Sequence, residues 1–218
     1  MLGILLAFRR IALSSELDAF RAIGQSYGRL LRTPYLYAIA LALVNLAGDG
    51  QADLTVHGGI DKAVYAYPSE HLPAWAAELG EALGDAPFGE NLSTIGVTES
   101  DVRIGDRWEW GEALLEVCQP RSPCFKLALH RRRADIQQLF RQSGRVGWYL
   151  RVLHPGAVST GSDISVIERD AAGLTVADAH RAMGDRRLED RTLVEALAAH
   201  DRLADEWRLP LVERLTRR

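Results

Sequence analysis

The sequence predicts a mainly β fold, a barrel or a sandwich with flanking helices, followed by a small all-α unit of three helices. Between Val44 and about Ile167, short apolar or alternating runs such as KAVYAYP, RIGDRWEW and GWYLRVLHPG are separated by glycine-rich turns such as AGDGQAD and HGG. This spacing is typical of all-β domains. After Arg169 the apolar residues recur at helical spacing in three segments. We therefore place a domain boundary near residue 168.

The first 45 residues form an atypical segment that leads into the barrel domain at residues 46–167, with the three-helix unit at 168–218. Residues 14–31 show loosely helical spacing. Two uncharged apolar runs, residues 1–8 and 35–48, are shorter than the roughly 20 residues that a membrane span needs. No basic residue precedes the first run, as it would in a secretory signal. We therefore expect no membrane element.

Two helices are expected to interrupt the β region. The first is predicted over Ser69–Leu83, where Pro73 lies in the first turn, a position that suits proline. The second is predicted over Arg131–Gln142, which is rich in arginine and glutamine. Its RRR cluster at residues 131–133 is typical of a solvated helix face, although it could also attract an anionic partner.

The three C-terminal helices are predicted in the segments TVADAHRAM, DRTLVEALAAH and RLADEWRLPLVERLTRR. Thr175 and Asp178 have the spacing of a capping box, and Asp190 is a candidate N-cap for the second helix. Pro210 falls inside the third segment, where we expect it to kink or restart the helix.

Composition argues against several classes of function. The chain has 218 residues, a formal net charge of −3 and a pI near 6.1, whereas a general nucleic-acid binder should carry a basic surplus. The nucleotide-binding, zincin and common hydrolase motifs are missing, and the six histidines have no metal-ligand spacing. Two cysteines cannot form a disulfide framework for this chain, so a reducing, cytoplasmic setting fits best.

Both cysteines lie in the stretch VCQPRSPCFKL, residues 117–127. Cys124 stands between Arg121 and Lys126, whose charge favours the thiolate, the nucleophilic and metal-binding form of cysteine. The prolines at 120 and 123 stiffen its approach. From the local sequence alone, it is an equally good interpretation that Cys124 acts as a small hydrophobic residue at a strand end. Cys118 is expected to be a packing residue, and the C-x5-C spacing matches no standard zinc pattern.

A second constellation is VHGGIDKAVYAYP, which begins at residue 56. Its paired glycines, Gly58 and Gly59, would let the backbone approach a ligand closely and offer amide donors to an anion. His57 and Asp61 could relay protons, and Lys62 could meet a phosphate or a carboxylate. A Gly-Gly hairpin turn with solvated charges is the simpler reading of this motif alone.

A third constellation is FGENLSTIGV, where Gly89 precedes Glu90 and Asn91 at the start of a β-prone segment. Glu90 could serve as an acid–base group. An ordinary turn before a strand explains the motif as well.

Taken together, three stretches resemble the MOSC-domain proteins of the YiiM type. They are AGDGQADLTVHGGIDKAVYAYPSEHLPAWAAELG, FGENLSTIGVTESDVRIGDRWEWGEALLEVCQPRSPCFKL and GWYLRVLHPG, in that order. The resemblance covers roughly Leu46 to Ile167. The tail, with GLTVADAHRAM and EDRTLVEALAAHDRLADEWRLPLVERL, is similar to the three-helix unit that follows the barrel in that group.

This resemblance implies a MOSC-type β-barrel that holds a molybdenum cofactor in its molybdopterin form. It implies that Cys124 is the molybdenum ligand, a role that suits a soft thiolate. The expected cofactor contacts, which would seat an anionic pterin phosphate or border it, are Gly58, Gly59, Lys62, Asn91, Arg121 and Lys126.

The implied reaction is the two-electron reduction of an N-hydroxylated compound, such as an N-hydroxylated purine base, to the amine and water. The metal carries the hard step, and His57, Asp61 and Glu90 are the candidates for proton supply or substrate orientation. Ferredoxin cysteines and a flavin fingerprint are missing from the sequence, so a separate electron-donor protein is expected. The C-terminal helices or the apolar N-terminal run could each make a homodimer contact.

The N-terminus departs from the family pattern. Members usually carry a Thr-Gly stretch and a nearby lysine before the AGDGQAD segment, whereas here Pro34 follows Thr33 and the run is short and apolar. Two other functions therefore stay open. One is a sulfur carrier with a persulfide on Cys124, and the other is a non-catalytic cofactor-binding MOSC module.

Overall fold

A computed structural model describes residues 59–159 and 163–217 of the chain. The predicted helix at 14–31, the apolar N-terminal runs and the first part of the barrel domain lie outside the described residues. Within the described ranges, no helix combines the length and the apolar character needed to cross a bilayer.

The described strands form one six-stranded sheet. They are β1 (Val64–Pro68), β2 (Leu92–Thr94), β3 (Arg107–Trp110), β4 (Ala113–Pro120), β5 (Trp148–His154) and β6 (Ile164–Glu168). Their order across the sheet is β2-β1-β5-β4-β3-β6, and every neighbouring pair is antiparallel except β1 and β2, which are parallel. The mainly β architecture predicted for this part of the chain is therefore confirmed.

Strand β1 is buried on both faces of the sheet. In β1, Val64 and Ala66 belong to one apolar cluster while Tyr65 and Tyr67 belong to a second, aromatic cluster. This division follows from the two-residue period of a strand, which sends successive side chains to opposite faces. The sheet therefore separates two cores, and all five residues of β1 are buried.

The first predicted helix is present but shorter than expected. A 3₁₀ turn at Ser69–His71 leads into α1 (Leu72–Leu79), which has a proline near its start as predicted. Gly80 ends the helix in the left-handed conformation, with φ 69°, a backbone geometry that glycine adopts without a Cβ penalty. Its N–H donates to the carbonyl of Ala76 at 3.0 Å.

The second predicted helix, Arg131–Gln142, has the wrong bounds. The structure has two short helices instead, α2 (Phe125–Arg131) and α3 (Ile136–Ser143). Arg132 separates them because it adopts a left-handed conformation with φ 52°. The arginine cluster therefore lies at a break between helices, not along one solvated helix face.

The three C-terminal helices are confirmed as α4 (Val176–Gly184), α5 (Arg191–Ala198) and α6 (Asp205–Thr216). Thr175 and Asp178 form the predicted capping box, and the carboxylate of Asp190 accepts from the N–H of Leu193 at the start of α5. The predicted restart at Pro210 is wrong, because α6 continues through that residue. Trp207 and Leu211 are buried on either side of Pro210, so packing holds the helix across the missing hydrogen bond.

The C-terminal helices share their core with the sheet. One buried cluster contains strand residues and helix residues together, among them Val64, Leu115, Val117, Trp148, Leu150, Val176, Val194, Leu197 and Leu211. The N–H of Ala204, just before α6, donates to the carbonyl of Cys118 in β4 at 3.0 Å. The proposed boundary near residue 168 remains a prediction, and β6 ends at Glu168.

Candidate functional site

The candidate site lies where β4 ends and the chain turns into α2. Pro120 ends the strand, and the N–H of Arg121 donates to the carbonyl of Gly147 at 3.2 Å, which holds the turn against the start of β5. Cys124 precedes α2 in an extended conformation, and its thiol is free and half-buried. The carbonyl of Cys124 accepts from the N–H of Leu127 at 3.1 Å.

Arg121 is the main electrostatic feature of this turn. Its side chain is only 8% exposed, and its guanidinium lies 4.5 Å from the centre of the Tyr65 ring and 5.9 Å from that of Phe140. Nη1 donates to the hydroxyl of Tyr65 at 3.2 Å. Among the described carboxylates, none forms an ion pair with it. A buried cation without a counter-ion is costly, so this position favours an anionic ligand.

The tyrosines around Arg121 are held in place by the sheet. The hydroxyl of Tyr65 donates to the carbonyl of Val146 at 2.9 Å and therefore accepts from Arg121. Burial raises the pKa of Tyr65, and also that of Tyr149, where the charges of Arg121 and Lys62 oppose the rise. Arg121, Lys62 and Tyr149 thus lie within electrostatic range of one another, and both tyrosines stay neutral at physiological pH.

Glu90 is buried close to the same guanidinium. It is 6% exposed, and its Oε2 accepts from the N–H of Phe88 at 2.9 Å. Its Oε1 is buried without a hydrogen-bond partner among the described residues. Burial raises the pKa of Glu90, while hydrogen bonds from the backbone and the charge of Arg121 oppose the rise. The carboxyl group is therefore able to hold a proton nearer to neutral pH than an exposed glutamate.

Gln119 is a polar residue of this region that the sequence interpretation missed. It is fully buried, and neither its amide nitrogen nor its amide oxygen has a partner in the described part of the chain. It lies two residues before Arg121 and pairs in register with Tyr149 of β5. A glutamine between the apolar residues and the proline at the end of this strand was the available signal, because buried polar side chains nearly always hydrogen-bond.

Two predicted acid–base or phosphate-binding residues make ion pairs with the protein itself. Asp61 lies 2.9 Å from Nε of Arg151, and Lys62 lies 2.6 Å from Glu206 at the start of α6. Asp61 is therefore engaged by Arg151, whereas Glu90 keeps one carboxyl oxygen without a partner among the described residues. Lys62 still contributes its positive charge beside Tyr149.

The other residues predicted to contact the cofactor or to transfer protons lie in several different places. Asn91, just before β2, is joined to Tyr65 of β1 by two hydrogen bonds. Its Oδ1 accepts from the N–H of Tyr65 at 2.8 Å, and its backbone N–H donates to the carbonyl of Tyr65 at 2.9 Å. Lys126 is exposed on α2. Gly59, with φ 111°, opens the short turn that leads to Lys62. His57 and Gly58 lie outside the described residues.

Cys118 behaves as the packing residue that the sequence predicts. It is fully buried at an irregularity in the pairing of β4 and β5, and its Sγ lies 3.1 Å from the carbonyl oxygen of Asp61. Burial raises the pKa of Cys118 to about 12. Its thiol is therefore protonated at physiological pH and lacks the reactivity of a thiolate.

The donor set at the end of β4 fits an anionic cofactor with a soft metal. Cys124 supplies an accessible thiol, Arg121 a buried cation, and Glu90 and Gln119 buried polar atoms that have no partner within the described residues. In the same ranges, no group of three or more His, Cys, Asp or Glu side chains is placed to hold a metal ion.

Comparison with known proteins agrees with this geometry. The MOSC domain family matches residues 53–165. The chain belongs to the MOSC family. It is 38% identical over 188 residues to the uncharacterized protein YflK of Bacillus subtilis, covering 86% of this chain and 85% of YflK. It is 48% identical over 144 residues to protein YiiM of Escherichia coli, covering 65% of this chain and 64% of YiiM.

Two further relatives extend the comparison. A protein named reductase from Gibberella moniliformis is 35% identical over 143 residues, which span 64% of this chain and 26% of that protein. The crystal structure of YiiM from Geobacillus stearothermophilus superposes with a TM-score of 0.70 at 36% identity, covering 73% of this chain and 81% of that one. The predicted MOSC-type fold and the resemblance to the YiiM type are therefore confirmed.

Proposed function

We propose that this MOSC-family protein is a molybdenum-cofactor-dependent reductase of N-hydroxylated compounds, such as N-hydroxylated purine bases. The observation that carries the proposal is the pairing of an accessible thiol, Cys124, with a buried arginine, Arg121, that has no carboxylate partner among the described residues. The relative named reductase supports an oxidoreductase role.

In this proposal Cys124 contributes one ligand to molybdenum, and the pterin contributes others. Arg121 compensates the negative charge of the thiolate and of the cofactor, because a guanidinium in a poorly solvated site interacts strongly with nearby anions. The bound cofactor supplies the two electrons that reduce the N–OH group. Tyr65 keeps Arg121 in position through its ring and its hydroxyl.

Glu90 is the described residue best suited to deliver a proton. The reduction of a hydroxylamine to an amine and water consumes two electrons and two protons. A buried carboxyl group with a raised pKa can hold one of these protons close to neutral pH. Asp61, paired with Arg151, keeps the start of β1 in place in this scheme, and a separate protein donates the electrons.

The decisive test is the metal and pterin content of the purified protein. Wild type should carry close to one molybdenum and one pterin per chain, and Cys124→Ala should lose the metal. Cys118→Ala is the matched control, since it removes the other thiol, which is fully buried, and it should retain the metal. Reduction of an N-hydroxylated purine base should follow the metal content across the three proteins.

Two outcomes would contradict the proposal. If folded wild type contains no molybdenum and instead carries a labile sulfur on Cys124, detected as an extra mass of one sulfur atom, the chain is a sulfur carrier. If it retains pterin and metal but does not reduce any N-hydroxylated base, it is a non-catalytic cofactor-binding module.

A further inference from the structure

A basic cavity lies next to the candidate site, between the end of β4, α3 and the C-terminal helices. Its volume is about 390 Å³. The turn after β4 contributes Arg121, α3 contributes Arg141, and the chain after α4 contributes Arg186. Met183 and Trp207 add apolar surface to the wall. The cavity therefore combines positive charge with room for a small organic molecule.

The charges of these arginines are not neutralised by the described protein. Arg121, Arg141 and Arg186 form no ion pair with any described carboxylate. The hydrogen bonds of the Arg141 side chain are long, since its Nη2 lies 3.4 Å from both the carbonyl oxygen of Pro123 and Oε1 of Gln137. The one acidic residue of the lining, Glu206, pairs with Lys62 at 2.6 Å. Three arginines thus line one cavity, and two of them, Arg141 and Arg186, are exposed and without a carboxylate partner among the described residues.

The segment that carries Arg186 is fixed by the C-terminal helix. Arg214 of α6 donates from Nη1 to the carbonyls of Ala182 and Asp185, at 2.8 and 2.7 Å, and from Nη2 to the carbonyl of Met183 at 3.1 Å. These bonds give partners to carbonyls of the last turn of α4 and of Asp185, the residue that follows the helix. Arg186 is therefore presented from a defined backbone position.

We propose that this cavity binds a phosphate monoester, and that it is the phosphate of the substrate. The substrate class is then an N-hydroxylated purine nucleotide, with the phosphate at Arg141 and Arg186 and the base directed towards Cys124. Arginine suits this role because its fork of N–H donors matches the phosphate oxygens. The substrate assignment rests on the proposed reductase function, whereas the phosphate site itself does not.

The test is equilibrium binding of adenosine 5′-monophosphate, adenosine and inorganic phosphate, measured by titration calorimetry. The variants are Arg141→Gln and Arg186→Gln, both at exposed positions. Arg187→Gln is the matched control, because Arg187 is an exposed neighbour that does not line this cavity. Adenosine 5′-monophosphate should bind at least roughly tenfold more tightly than adenosine, and Arg186→Gln should remove that difference, as expected for a charge-assisted hydrogen bond. Arg187→Gln should preserve it.

Two results would overturn the phosphate site. One is equal affinity for adenosine and its monophosphate in wild type. The other is equal weakening by Arg186→Gln and Arg187→Gln, which would mean that only the general positive charge of this surface attracts the ligand. Because the titration needs no metal, a failed phosphate site is distinguishable from a failed reductase.

The phosphate could also be that of the cofactor, and pterin content separates the two sources. If Arg141→Gln and Arg186→Gln retain wild-type pterin while the preference for the monophosphate disappears, the phosphate is that of the substrate. If both variants lose pterin while Arg187→Gln retains it, the cavity holds the cofactor phosphate and the nucleotide assignment is wrong. If the phosphate is that of the substrate, Arg186→Gln with bound cofactor should also have a higher KM for the N-hydroxylated nucleotide. Its KM for the free N-hydroxylated base should be unchanged.

Discussion

Buried charge is balanced differently in the middle of β4 and just after its C-terminal end. Near its middle, Glu116 is 4% exposed and is surrounded by three arginines, with Arg107 Nε at 3.2 Å, Arg151 Nη1 at 3.5 Å and Arg202 Nε at 3.9 Å. Just after its C-terminal end, Arg121 is almost as buried, and its guanidinium donates to the hydroxyl of Tyr65 but pairs with no described carboxylate. In the first region the buried charge has partners of opposite sign, whereas in the second no described carboxylate balances the buried charge.

This difference separates charge that stabilises the fold from charge that serves function. The arginines around Glu116 have further acidic partners, since Arg107 pairs with Glu168 at 2.9 Å and Arg151 with Asp61 at 2.9 Å. That network joins β3, β4, β5 and β6. Within residues 59–159 and 163–217, Arg121 forms no comparable ion pair between strands, so these residues do not account for the cost of burying it.

The largest expected effect is on stability. Glu116→Gln should lower the free energy of unfolding by about 3 kcal/mol, because it removes a buried carboxylate and leaves three arginines partly uncompensated. Arg121→Met should stay within about 1 kcal/mol of wild type, or exceed it, since it removes a buried charge without a carboxylate partner. Urea denaturation followed by circular dichroism measures both. Similar losses in the two variants would contradict the contrast between the two regions.

A smaller effect is expected at Glu90 and should depend on pH. Because burial raises the pKa of Glu90 in the folded state, the stability linked to this group is fully present below its unfolded pKa, about 4.3. That stability is lost as the pH rises through the folded pKa. Glu90→Gln, which cannot ionise, should therefore gain stability relative to wild type between pH 4 and pH 8. Urea titrations of both proteins at each pH measure their free energies of unfolding. A difference between these free energies that stays constant over this pH range would show that the pKa of Glu90 is not raised in the folded state.

The sequence predicted the parts of this molecule that depend on local pattern. Short strands and the capping box at Thr175 followed from neighbouring residues, whereas the local sequence left a reactive thiol and a packing residue equally open at Cys124. Helix α2 was missed because it has only seven residues and because Cys124, the residue before it, provides no capping side chain. The predicted restart at Pro210 was wrong because packing of Trp207 and Leu211 keeps the helix continuous through the proline.

What the sequence could not predict depends on contacts between distant residues. Asp61 and Glu90 were equivalent candidates in the sequence, and only the fold shows that Asp61 pairs with Arg151, 90 positions away, while Glu90 is buried near Arg121. The basic cavity likewise combines residues of four separate segments, from Arg121 to Trp207. Such juxtapositions arise from topology and have no local signature.

The most direct test of the central claim compares one arginine from each region. Pterin content per chain should fall at least roughly tenfold in Arg121→Met, because the cofactor loses its buried counter-charge. It should remain at the wild-type level in Arg107→Met, because Arg107 is already committed to Glu116 and Glu168. Full pterin retention in folded Arg121→Met, or equal loss in both variants, would contradict the account.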